Sequence, residues 1–173
     1  MDNEERRKHI LDILQKAKKS VTGTALAEKF GVSRQIVVGD IALLRAKGLP
    51  IISTPRGYSL QKREKTSVTE NFVCRHDENQ VEAELLAIVD NGGCVHNVIV
   101  EHEMYGFLEG QLNLRSRRDV ELYMTKMKES KAPLLSSISN GIHTHLVETR
   151  TPEEMQAVRE ALAKLGVLYQ AAK

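Results

Sequence analysis

Gly31-Val32-Ser33 constrains the fold of this chain more than any other stretch. A glycine there suits the left-handed turn that ends one helix, and a serine two residues on suits the N-cap of the next. The helix before it is short, Ala25 to Phe30, with Leu26, Ala27 and Phe30 turned inward. The helix after it runs to about Lys47, with Val37, Ile41 and Leu44 at i, i+4 and i+7 as its inward stripe. A first helix, Asn3 to Lys18, carries the stripe Ile10, Leu11, Leu14 and Ala17. After Gly48-Leu-Pro50, Ile51 to Ser53, a turn at Thr54-Pro-Arg-Gly57, and Tyr58 to Leu60 read as a hairpin. Residues 1–62 are therefore expected to form an all-α winged helix with a small β-hairpin.

Charge supports a polyanion partner for this part. Residues 1–65 hold 14 Lys and Arg against 7 Asp and Glu, leaving 11 against 16 in the remainder. The third helix would enter the major groove of double-stranded DNA, where its first turn, Ser33, Arg34 and Gln35, reaches base edges or phosphates. Val38 and Arg45 also lie off the inward stripe. Arg45, Arg56 on the wing, and Lys18 and Lys19 would meet phosphates. Gly39 in mid-helix costs about 1 kcal/mol against alanine. Close approach by a phosphate or by the first helix would explain it. Helix-turn-helix shapes also occur in purely structural bundles.

Gln61 to Glu70 is polar and aperiodic, and 63–70 reads as a linker. The second domain, 71–173, alternates elements. Strands are expected at Asn71–His76, Cys94–Glu101, Tyr105–Asn113, Pro133–Ser136 and Ile142–Thr149. Helices are expected at Gln80–Asn91, Ser116–Ser130 and after the cap Thr151-Pro-Glu-Glu154. The order βαββαββα predicts an α+β domain, an antiparallel or mixed sheet with helices on one face. The stripe Val120, Tyr123, Met124 and Met127 reads as core.

The chemistry of this domain centres on Ile142-His-Thr-His-Leu146. On a strand, His143 and His145 share one side, expected to face a surface or cleft, while Ile142, Thr144 and Leu146 face the core. Such a pair is more often two surface histidines than a metal site. Here His76 ends a strand and Glu84 lies early in the following helix, so His76, Glu84, His143 and His145 can make a three-histidine, one-carboxylate site for Zn, Ni, Co or Fe(II). Cys74 and Cys94 each precede a histidine by two residues but read as buried core thiols rather than ligands.

Two resemblances sharpen these readings. Ala25 to Arg45, closed by Pro55-Arg-Gly-Tyr58, resembles the winged helix of biotin-repressor-like regulators. Taken with Arg75-His76, Glu84, Val95-His96, Val100-Glu-His102, Tyr105-Gly106 and Gly141-Ile-His-Thr-His145, nearly the whole chain resembles the niacin-responsive transcription repressors. That resemblance implies an HPr-like open-faced C-terminal domain and a homodimer. It implies repression of NAD-biosynthesis or niacin-transport genes with nicotinic acid as co-repressor. It also implies a divalent transition metal, nickel or zinc, on His76, Glu84, His143 and His145. His96, His102 and Tyr105 are candidates to orient the effector.

Other classes fit less well. A metal-sensing repressor, with the ion itself as signal, is the rival. An enzyme is not expected: there is no phosphate-cradling glycine loop, and a hydrolase built on the histidines would be a departure. No apolar run approaches the roughly 20 residues that span a bilayer, and the N-terminus lacks a signal-peptide core. With two cysteines and no membrane partner, a cytoplasmic protein is expected.

Overall fold

In the computed structural model, which describes residues 1–61 and 66–169, the chain divides into two units, Met1–Arg63 and Glu64–Lys173. The expected boundary at 62/63 and linker residues 63–65 lie outside the described residues.

The first unit is three helices and a hairpin. α1 (Asn3–Lys16) starts on a capping box between Asp2 and Glu5, and α2 (Gly23–Phe30) is capped by Thr22. Gly31 is in the left-handed region at φ 64°, and Ser33 Oγ accepts from the Ile36 amide to cap α3 (Arg34–Ala46). Strands β1 (Ile51–Thr54) and β2 (Gly57–Leu60) pair antiparallel. Ile10, Leu14, Leu26, Val37, Ile41, Leu44 and Ile51 form the core. Arg6 and Arg7 of α1 grip the buried Asp40 of α3, at 2.6 and 3.3 Å. This ion pair fixes the rotation of α3 about its own axis.

The second unit is an α+β domain with a four-stranded antiparallel open sheet. Its strands are β3 (Val68–Arg75), β4 (Cys94–His102), β5 (Gly106–Leu114) and β6 (Ile142–Thr149), in the spatial order β3-β6-β4-β5. β3 begins at Val68, so the end of the stretch read as linker is strand. Helices α4 (Val81–Val89), α5 (Arg117–Glu129) and α6 (Pro152–Leu165) cover one face around a core of Phe72, Leu85, Ile88, Val95, Leu114, Val120, Val147 and Leu162. Val167–Tyr169 lies along the outer edge of β3: Val167 accepts from the Arg75 amide, and the Tyr169 amide donates to Val73. The Val73–Arg75 end of this sheet edge is thereby covered.

Two expectations are corrected. The strand expected at Pro133–Ser136 is instead a 3-10 turn, Leu135–Ser139, ending on Asn140 in the left-handed region. The order is therefore βαββαβα. A short apolar run beside Ser-Ser supports either conformation. The histidine side of β6 is also the buried one. His143, His145, Val147 and Thr149 face the helices, whereas Ile142, Thr144 and Leu146 are half-buried on the other side.

Candidate functional site

Glu84 is 1% exposed, in the first turn of α4. Three imidazoles converge on its carboxylate. His76, just past β3, places Nε2 on Oε2, and His145 places Nε2 on Oε1. His143 Nε2 lies 3.1 and 3.0 Å from the two oxygens. The other nitrogen of each ring is already engaged. Nδ1–H donates to the carbonyl of Asp77 (2.6 Å) from His76, of Gly141 (2.8 Å) from His143, and of Asn97 (2.6 Å) from His145. Each ring therefore turns Nε2, the free lone pair of a neutral imidazole, toward the carboxylate.

Lone pairs facing carboxylate oxygens repel unless a proton or a cation stands between them. Adjacent ligands of an octahedral ion held by bonds of about 2.1 Å stand about 3 Å apart, which is the spacing from His143 to Glu84. The donor set is hard-to-borderline and buried, with its orienting carbonyls in place, as metal-ligating histidines have. Burial alone would raise the Glu84 carboxyl, but hydrogen bonds from His143, His145 and His76 outweigh it and hold the group far below the ordinary carboxylate range. At His76, burial opposes the charge, yet the bonds to Glu84 and the Asp77 carbonyl raise its pKa overall. Without an ion, protons hold this group together, and a metal would displace them.

Local backbone devices aim these groups. β4 carries an extra residue against β6 between Val95 and Ile99. That bulge turns the Asn97 carbonyl to His145, while the Asn97 side chain accepts from the Leu146 amide and donates to Glu109. Gly141, at φ 82°, lies so near the His76 carbonyl that a Cβ there would collide with it. Its own carbonyl orients His143.

Cys74 was read from sequence as a core thiol, and it is buried, but it also borders this group. It faces His143 across the β3–β6 register. Its Sγ, a Glu84 oxygen and a His143 nitrogen lie within 4.8 Å of one another, so these three could hold a metal ion. Burial first, and then the Glu84 charge, push the thiol pKa up. A protonated thiol is a neutral neighbour, and the imidazoles are the better donors. Cys94, pushed up to about 11 by burial, is an inert core thiol.

A small pocket, partly open to solvent, adjoins the group. Its apolar walls are Val81, Leu85, Val98, Leu112, Leu134 and Leu135, and its hydroxyls belong to Tyr123 and Ser136. Among the described residues, Glu84 is the one carboxylate lining it, and none of its lining residues is a lysine or arginine. Cys74, Asn97 and Tyr123 are additions to the sequence reading. Cross-strand register could have signalled Cys74.

The effector candidates lie elsewhere. His96 bonds Glu148 (2.5 Å) and Asn113 (3.3 Å). His102 and Tyr105 pack ring to ring at the β4–β5 turn, with Tyr105 exposed. None of the three lines the pocket. On α3, Ser33, Arg34 and Gln35 are exposed and Val38 is half-buried; on the wing, Arg56 is exposed. Arg45 is engaged within the unit, donating to the Ile51 carbonyl (2.7 Å) and Ser53 Oγ (2.9 Å). A Cβ at Gly39 would meet no protein atom within 4 Å, so the first helix does not account for that glycine.

Comparison with known proteins gives two domain matches: residues 6–59 to the HTH domain and residues 69–171 to the 3H domain. The chain is 38% identical over 167 residues to the probable transcription repressor NiaR of Thermotoga maritima, covering 96% of this chain and 95% of that one. It is 34% identical over 166 residues to the transcription repressor NadR of Bacillus subtilis, covering 94% and 92%. Both relatives are named as repressors rather than enzymes. No helix among the described residues is long and apolar enough to cross a membrane.

Proposed function

Because this chain belongs to the NiaR/NadR family of transcription repressors, joining an HTH domain to a 3H domain, we propose that it represses NAD-biosynthesis or niacin-transport genes with nicotinic acid as co-repressor and a divalent metal at Glu84. His76, Glu84, His143 and His145 are the proposed ligands, with nickel or zinc as the ion. A bound ion would supply positive charge and an open ligand position. The protein binds its operator as a homodimer, with the recognition helices set about one turn of DNA apart, 34–36 Å. Ser33, Arg34, Gln35, Arg45 and Arg56 are the proposed DNA contacts, with Val38 beside them; Arg45 also braces the hairpin.

The observation that carries this reading is the charge of the buried site. Among the described residues, Glu84 is the one carboxylate in a pocket otherwise lined by aliphatic groups, hydroxyls and imidazoles. A divalent ion with one carboxylate leaves a single uncompensated positive charge, which is costly to bury. A small monocarboxylate neutralises it and a neutral amide does not. Nicotinic acid has the right charge.

The test is binding of the full-length protein to a fluorescent duplex carrying the promoter region of its own target gene, at fixed salt, with and without nicotinate. The expected outcome is tighter binding on adding nicotinate, lost on chelation. Unchanged affinity would remove nicotinic acid from the account. The buried donor set also favours a second reading, in which the metal alone is the signal. Repression that follows the ion whatever the nicotinate level would establish it.

A further inference from the structure

The pocket beside Glu84 has an uneven distribution of polar groups. Its charged end is the Glu84–histidine cluster, and its walls are aliphatic. Beyond the cluster, two side chains in the lining offer a hydrogen bond, Tyr123 and Ser136. They differ in how firmly they are held. Ser136 belongs to the 3-10 turn Leu135–Ser139, in which no residue is fully buried. Tyr123 projects from α5, where Val120 and Met124, on the same side of the helix, are in the core. The ring of Tyr123 packs against that core while its residue lines the pocket. Tyr123 lines the same pocket as Glu84, and a phenol is a neutral donor at neutral pH.

A flat heteroaromatic monocarboxylate brings two acceptors of different kinds into such a space. Its carboxylate carries the charge that complements the ion-bearing end. Its ring nitrogen is neutral and would be left unpaired against Val98, Leu112 and Leu134, at the cost of a buried unsatisfied acceptor. A fixed neutral donor in the same wall removes that cost.

Building on the effector reading above, we propose that the Tyr123 hydroxyl donates a hydrogen bond to the ring nitrogen of the bound heteroaromatic acid. Tyr123 thereby sets the preference for a pyridine acid over its carbocyclic analogue. A site that hydrogen-bonds a polar atom rejects the analogue lacking it far more strongly than an apolar wall discriminates by shape.

The experiment is a calorimetric titration of the full-length, zinc-loaded protein with nicotinate and with benzoate, on wild type and on Tyr123→Phe. Metal content and melting temperature are measured on both. Wild type is expected to bind nicotinate about tenfold or more tightly than benzoate. Tyr123→Phe is expected to bring nicotinate down to the benzoate level, with benzoate affinity, metal content and melting temperature unchanged. A nicotinate preference that survives in Tyr123→Phe overturns the proposal. So does an equal loss for both acids, because that marks a packing role. If wild type binds neither acid, the effector reading fails and this proposal fails with it. If wild type binds both acids equally, Tyr123 alone is misassigned.

Discussion

Asp40 and Glu84 are both buried carboxylates, one in each unit, and their partners differ in kind. Asp40 meets the guanidiniums of Arg6 and Arg7, which stay charged at any physiological pH. Its compensation is built in, and it serves to lock α3 against α1. Glu84 meets three imidazoles whose Nδ1 atoms are already bonded to carbonyls. Its compensation has to arrive as a proton or an ion. A carboxylate with permanent cations is part of the frame, whereas one ringed by lone pairs responds to what binds it. On the proposed function, this contrast separates a fixed DNA-reading unit from a sensing one.

The largest effect should come from removing the permanent pair. Asp40→Asn leaves two guanidiniums facing a neutral group in the core. The unfolding midpoint of the first unit should fall by about 10 °C or more by calorimetry, with or without metal. A change of a degree or two would mean that Asp40 does not lock α3. Glu84→Gln should lower the metal-free midpoint by less than Asp40→Asn does, and weaken metal binding by more than about 100-fold, beyond the usual loss when a supporting hydrogen bond is removed. Zinc that still raises its melting temperature as in wild type would break the contrast. Asn97→Ala removes the side-chain braces of the β4 bulge while leaving the carbonyl that orients His145. An affinity loss of about 10-fold for metal is expected by competition with a chelator, with no effect on DNA binding without effector.

The smallest effect is in pH. The raised pKa of His76 gives stability that is present below the ordinary histidine value of 6.5 and lost as pH rises through the folded value. The depressed pKa of Glu84 gives stability that is present above 4.5 and lost as pH falls toward the folded value. Metal-free protein should therefore lose stability above pH 6.5. Zinc needs the imidazoles neutral, so its stabilisation should grow over the same range. Melting curves from pH 5.5 to 8.5, with zinc and with chelator, should diverge. Parallel curves would show that protons and metal do not compete for Glu84.

What could be read in advance follows from the range of each interaction. Gly31 and Ser33 act within one turn of chain, so the first unit was legible from its caps and stripes. The pairing of His143 with His145 was legible from strand period. Which side of β6 is buried was not, because alternation separates two sides without saying which the helices cover. The site draws on several elements, and its long-range parts escaped. The Asn97 bulge is a register shift between neighbouring strands. The place of Cys74 depends on pairing with residues nearly seventy positions on. Tyr123 follows the core stripe of α5 and also lines the pocket, a double role that periodicity does not reveal. His102 and Tyr105 lie at the β4–β5 turn and do not line the pocket beside Glu84, a placement that sequence spacing does not give.

The central claim is that Glu84 and its three histidines hold a divalent ion. Mass-spectrometric metal content, measured on untagged protein purified without chelator, tests it directly. Wild type should carry about one divalent transition metal per chain, and His143→Ala combined with His145→Ala should carry almost none while remaining folded by circular dichroism. Equal metal content in the two proteins would contradict the account.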